Sequence, residues 1–149
     1  MQRVDFYVLP GTDTRERLKF ACRLTEKAYL AGGRILVWLA DPAALSEFDD
    51  LLWTFADRSF VPHELLQDPR QWQETPVLLS CEHSPTEPFD VLVNLAPAVP
   101  AASGPAARVV EVIDAEPERR NAGRARFRTY RERGVEPSTH NMAEEAGSS

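Results

Sequence analysis

Arg34-Ile35-Leu36-Val37-Trp38-Leu39 is a nearly unbroken apolar run, and its reading decides the fold class. A strand with no polar alternation has to be covered on both faces, and sheets covered on both faces are largely parallel with helices packed against them. The flanks agree. Downstream, Asp41-Pro42 is a strong helix start, with Asp as N-cap and Pro at the first helical position. Leu45, Phe48, Leu52 and Phe55 then recur at helical spacing, with Leu51 close by. Upstream, Gly32-Gly33 supplies the left-handed backbone that ends a helix. That helix carries Leu18, Ala21, Cys22, Thr25, Ala28 and Tyr29 on one face, and Thr12 or Asp13 caps it. Further back, Arg3 to Leu9 alternates and is rich in β-branched and aromatic residues, so it reads as a strand stopped by Pro10-Gly11.

Beyond the second helix, residues 56–76 read as a loop containing Ser59-Phe60-Val61-Pro62-His63. Short strands are expected at Val77–Ser80 and Val91–Asn94, an Ala/Pro-rich connection from Ala96 to Ala107, and a strand at Arg108–Ile113. A final helix runs from about Pro117 to Arg133 and stops at Gly134. The expected architecture is a single α/β domain over 1–135, a three-layer sandwich with a mostly parallel central sheet flanked by helices. From Val135 onward little can be buried, so 136–149 is expected to be a disordered tail.

With 149 residues, 43% hydrophobic and 27% charged, the chain is of ordinary size and composition for one globular domain. No apolar run approaches the ~18 residues that span a bilayer, and no signal core follows Met1, so a cytoplasmic protein without a membrane partner is expected. Cys22 and Cys81 have no metal-ligand spacing and read as buried free thiols in a reducing compartment.

No reaction centre is legible. The first strand-to-helix turn, Leu9-Pro10-Gly11-Thr12-Asp13-Thr14, has one glycine, and neither G-x-G-x-x-G nor a P-loop occurs. Close backbone approach to a pyrophosphate needs several glycines, so a dinucleotide or triphosphate site is disfavoured. His63, His83 and His140 fall at no metal or nucleophile–base spacing, and Ser80 has no nucleophile-elbow context. His63 reads as a structural, hydrogen-bonding histidine, and Asp49-Asp50 as a solvated pair. No cofactor, metal or intrinsic catalysis is expected.

Charge is where the chain is unusual. Arg119 to Arg133 holds seven arginines against Glu132 alone, +6, while the other ten basic residues face 22 acids, −12. Such segregation builds a local positive field on a repulsive body and selects an anionic partner at one place. The acidic remainder argues against broad wrapping of DNA. Arg120, Arg124 and Arg128 are spaced i, i+4, i+8, and Arg131 continues the stripe. Like charges at i, i+4 repel by roughly 0.2–0.5 kcal/mol per pair, which makes sense if a ligand neutralises them. Phe127 and Tyr130, with Gly123, supply the inward face, and Ile113 at the preceding strand's end offers an apolar floor. Two other readings remain open on these residues: an arginine-rich solvated helix end suited to the macrodipole, or direct nucleic-acid binding by this helix. The second concentration of interest is aromatic. Trp53, Phe55 and Phe60 gather at a helix exit and its loop, either as core plugs or as interface anchors.

These segments resemble, in order, the bacterial DNA polymerase III chi subunit family. The resemblance is carried by Val4-Asp5-Phe6-Tyr7-Val8-Leu9, Glu26-Lys27-Ala28-Tyr29 with Gly33-Arg34, Leu51-Leu52-Trp53, Ser59-Phe60-Val61-Pro62-His63, and Arg124-Ala125-Arg126-Phe127-Arg128-Thr129-Tyr130-Arg131 before Gly134. It covers about residues 3 to 135. The linker at 96–107 is shorter and richer in proline than in the family, and the tail past Pro137 has no counterpart. The resemblance implies a Rossmann-like fold and a non-catalytic accessory of the clamp loader in DNA replication. It implies a one-to-one partner, the psi subunit, at Trp53 and Phe60 with Val61, Pro62 and His63. It implies a second partner, the acidic C-terminal tail of single-stranded DNA-binding protein, at Ile113, Arg120, Arg124 and Arg128, to which the helical spacing adds Phe127 and Arg131 as expected members of the site. DNA would then be reached only indirectly.

Overall fold

In a computed structural model, described here for residues 2–57, 60–68, 75–85, 88–100, 103–104 and 106–142, the chain forms one sheet between two helical layers. The strands are β1 (Arg3–Val8), β2 (Ile35–Trp38), β3 (His63–Leu65), β4 (Val77–Ser80), β5 (Val91–Asn94), β6 (Arg108–Ile113) and β7 (Ser138–Asn141). Their order is β3-β4-β2-β5-β6-β1-β7, and every pairing is parallel. The helices are α1 (Thr14–Leu30), α2 (Pro42–Thr54) and α3 (Pro117–Glu132).

Local chemistry sets the helix ends. Asp13 accepts from the Arg15 amide and Asp41 from the Ala44 amide, each at 2.8 Å, satisfying donors that have no partner inside the helix. Glu116 does the same for α3, accepting from the amides of Glu118 and Arg119. Gly32 and Gly134 close α1 and α3 at φ of +89° and +88°, where a side chain would be strained.

The two-residue period of the strands sorts side chains into two cores. Ile35 and Val37 of β2 and Val110 and Val112 of β6 point toward Leu18, Ala21 and Cys22 of α1 and Phe48, Leu51 and Leu52 of α2. Leu36, Val109, Ile113 and, from β1, Val4 and Phe6 point the other way, toward Tyr130 of α3. Cys22 is buried in the first of these cores, and burial pushes its thiol up to about 12. Cys81 is half-buried.

Two expectations need correction. The 56–76 segment is not all loop: His63–Leu65 is a three-residue edge strand on β4, too short to show alternation. Nor does the chain fray at Val135. Ser138–Asn141 pairs with Asp5–Val8 of β1, so the domain extends to this strand. Composition misjudged it because its docking depends little on its own apolar area. His140 stacks on Tyr7, ring centroids 4.6 Å apart, and its Nε2 lies 3.0 Å from Asp5 Oδ1. Pro137, just before, is buried. Residues 143–149 lie outside the described residues.

Candidate functional site

The arginines of α3 are not equivalent. Arg126 turns into the core, where its Nε donates to Glu111 Oε1 at 2.9 Å and its Nη1 to the Pro97 carbonyl. Glu111 also accepts from the Tyr130 hydroxyl at 2.7 Å and from Asn94 Nδ2. Burial pushes the Glu111 carboxyl up, against the opposing pull of Arg126, Asn94 and Tyr130. Arg119 grips Asp114 through Nε and Nη2 at 2.9 and 2.8 Å. Arg133 reaches the Ser103 hydroxyl, and Arg131 pairs with Glu136 at 3.2 Å. That leaves Arg120, Arg124 and Arg128, the i, i+4, i+8 set, exposed and without an ion pair to any described residue. Arg131 continues the stripe but, unlike these three, makes a solvent-exposed ion pair with Glu136, four residues past the end of α3.

Arg124 and Arg128 stand over a groove of about 320 Å³ between α3 and the β6-β1-β7 edge. Ile113, Gly123 and Phe127 line it as expected, and Phe6, Val8 and Thr139 join them. Arg120 lies one turn earlier on the same face, outside the groove proper. The floor is apolar, and no acid among the described residues lines it. Gly123 is what lets α3 sit so close: a Cβ there would meet Ile113 Cγ2 at 3.0 Å and Cδ1 at 3.1 Å. Phe127 packs on Phe6 with ring centroids 5.3 Å apart, which fixes its ring as a wall. Such a surface suits a short peptide with one apolar side chain and several carboxylates. The apolar part displaces water from the floor, and the planar guanidinium forks take carboxylates in pairs. Phe6, Val8 and Thr139 escaped sequence reading because they come from strands that only the sheet order brings together, and β7 was not expected at all.

The aromatic patch lies at the opposite end of the molecule, beside the β3 edge. Phe60 is 69% and Trp53 44% exposed, with ring centroids 5.4 Å apart. Neither is a core plug. Beneath them His63 is buried, its Nδ1–H donating to the Val61 carbonyl at 2.7 Å and its Nε2 lying 2.9 Å from Asp49 Oδ1, while the Trp53 ring lies on it at 4.1 Å. Val61 is wholly buried. Of the five residues expected at this surface, Val61 and His63 therefore hold the loop and present no side chain to a partner. Trp53 and Phe60 form the face, with Pro62 half-buried beside them. Ser59 lies outside the described residues. Asp49, read as solvated, is instead the carboxylate that ties α2 to this loop.

Comparison with known proteins is consistent along the chain. A family model described as DNA polymerase III chi subunit, HolC, matches residues 1–138. A protein of Pseudomonas aeruginosa named DNA polymerase III subunit chi is 40% identical over 142 residues, covering 95% of this chain and 98% of that protein. Proteins of the same name from Haemophilus influenzae and Escherichia coli are 26% and 24% identical, over 92% and 93% of this chain and 95% and 97% of theirs. With a match that runs from β1 into β7 through both candidate surfaces, the chain belongs to the DNA polymerase III chi subunit family.

Proposed function

We propose that this chain is the accessory subunit that links the DNA polymerase III clamp loader, through psi, to the acidic C-terminal tail of single-stranded DNA-binding protein. Family membership makes it a component of DNA polymerase III; the two partners and their sites are the inference. One observation carries the tail site. Among the described residues, Arg124 and Arg128 are unpaired and flank an apolar notch of Ile113, Gly123 and Phe127 that no acid lines. Charge steers the tail in, and the notch anchors its apolar residue. The psi site rests on the adjacent exposed rings of Trp53 and Phe60, a compact apolar anchor of the kind that dominates interface energetics.

The groove reading is tested by calorimetric titration with a synthetic acidic peptide that ends in an apolar residue with a free α-carboxylate. One-to-one binding that weakens steadily with added salt is expected, because exposed charges make much of the attraction. Affinity indifferent to salt would place the peptide elsewhere. Single-stranded oligonucleotide is the second titrant. Tight binding to it alone would favour direct nucleic-acid binding by α3.

A further inference from the structure

A second crevice opens at the C-terminal edge of the sheet, on the other side of α3 from the peptide groove. Here the connection leaving β2 turns to the α1 and α2 face and the one leaving β5 turns to the α3 face. In open parallel sheets, the gap beside such diverging connections is where ligands sit. Arg17, on the second turn of α1, lies in this gap and is only 7% exposed. Its Nε donates to the Val112 carbonyl at 2.9 Å and its Nη2 to the Leu95 carbonyl at 3.4 Å. Both acceptors are neutral main-chain groups at the ends of β6 and β5, and no described carboxylate lies within ion-pair distance. A guanidinium taken out of water without a counter-charge is costly to keep.

The neighbours add to that cost. Arg119 and Arg126 line the same crevice of about 420 Å³. Burial, and then the charge of Arg119, push the Arg17 guanidinium down to about 10. The nearby acids already have partners: Asp114 holds Arg119, Glu111 holds Arg126 and Tyr130, and Glu116 caps α3. Each of the other two guanidinium groups is hydrogen-bonded to its own carboxylate, whereas Arg17 feels Asp114 and Glu111 only at longer range. Leu95, Pro97 and Ala122 give the crevice small apolar walls, and the N-terminal end of α3 opens onto it.

We propose that this crevice, between the C-terminal ends of β2 and β5 and the start of α3, binds a small phosphomonoester anion on Arg17, with Arg119 and Arg126 alongside. The charge class follows from the lack of a carboxylate in direct contact with Arg17 among the described residues. The limit to one phosphoryl group follows from two features. No glycine is among the described residues that line the crevice, so it offers no backbone cradle for a polyphosphate, and Glu116 and Glu118 at the rim repel a longer anionic chain. A guanidinium needs no such cradle, because it reaches the anion with its own planar donors.

The test titrates the full chain with inorganic phosphate and with adenosine monophosphate at ionic strength held constant with chloride. Heats are followed by calorimetry and backbone amide shifts by NMR. Saturable one-to-one binding is expected, with shifts centred on Arg17, Leu95, Ala96, Glu118, Arg119 and Ala122. Arg17→Met should weaken it about tenfold or more, the loss of a charge-assisted hydrogen bond. Arg124→Ala, in the separate peptide groove, should leave it unchanged. Tighter binding of the nucleotide than of phosphate would identify a mononucleotide as the source, and equal binding free phosphate. The proposal is overturned by no saturation with either ligand up to roughly 50 mM, by equal binding in Arg17→Met, or by wild-type shifts centred on Arg124 and Arg128. The wild-type shift map decides the matter even if Arg17→Met does not fold.

Discussion

At the scale of single residues, environment and not identity separates the arginines of α3. Arg124 is exposed over an apolar notch with no partner among the described residues, so Arg124→Ala is expected to weaken the acidic peptide by about 1.5–3 kcal/mol with little effect on stability. Arg131→Ala is expected to weaken it by well under that, since Arg131 already pairs with Glu136. Calorimetry of the two variants checks the contrast, and equal losses would remove Arg124 from its special place. Arg126 is the opposite case. Glu111→Ala would strand its buried guanidinium, and removing one member of such a pair costs about 3–5 kcal/mol. Urea melts should show that loss. A change near zero would mean that water reaches Arg126 and the network is not the anchor of α3 that the distances describe.

At the scale of the element, β7 is the informative one. It is a parallel edge strand whose ties to the sheet, beyond its ladder, run through His140 to Tyr7 and Asp5. Burial would push the Asp5 carboxyl up, but the hydrogen bonds from His140 and Arg108 and the charges of Arg108 and Arg3 together outweigh it and hold it below the usual carboxylate range. A carboxyl lowered in the fold adds stability that is present above its unfolded value and is lost as pH falls through its folded value. Docking of β7 should therefore be full at neutral pH and should loosen in acid, below about pH 4. Hydrogen exchange of residues 136–142 reads this directly, and Asp5→Asn should loosen the strand at neutral pH and flatten its acid dependence. Exchange indifferent to both would leave the ladder alone holding β7. Because Thr139 lines the groove, the same acid loosening is expected to reach peptide binding.

At the scale of the whole molecule, two surfaces sit at opposite ends of one sheet: the aromatic face by the β3 edge and the cationic groove by the β7 edge. Bound as proposed, the two partners would lie on opposite sides of the sheet without touching each other. Phe60→Ala is expected to abolish co-purification with psi while leaving cooperative unfolding and peptide affinity intact, since the ring is mostly exposed. A variant that melts early would show that Phe60 holds the loop over His63 and is not an anchor for a partner.

What the chain determined by itself was whatever depends on neighbours a few residues away. Caps at Asp13 and Asp41, stops at Gly32 and Gly134, the apolar β2 run and the i, i+4, i+8 stripe are local signals, and they were enough for the α/β class, the helices and most strands. The short β3 and the polar β7 were not legible, because pairing with a distant strand, and not their own pattern, makes them strands. Nor could sequence tell Arg126 from Arg124. That choice was made by Glu111 from β6, by Glu136 for Arg131, and by Asp5 for His140, 135 residues away. Charge is counted along the chain but neutralised across space, so only the tertiary structure decided which cations remain for a partner.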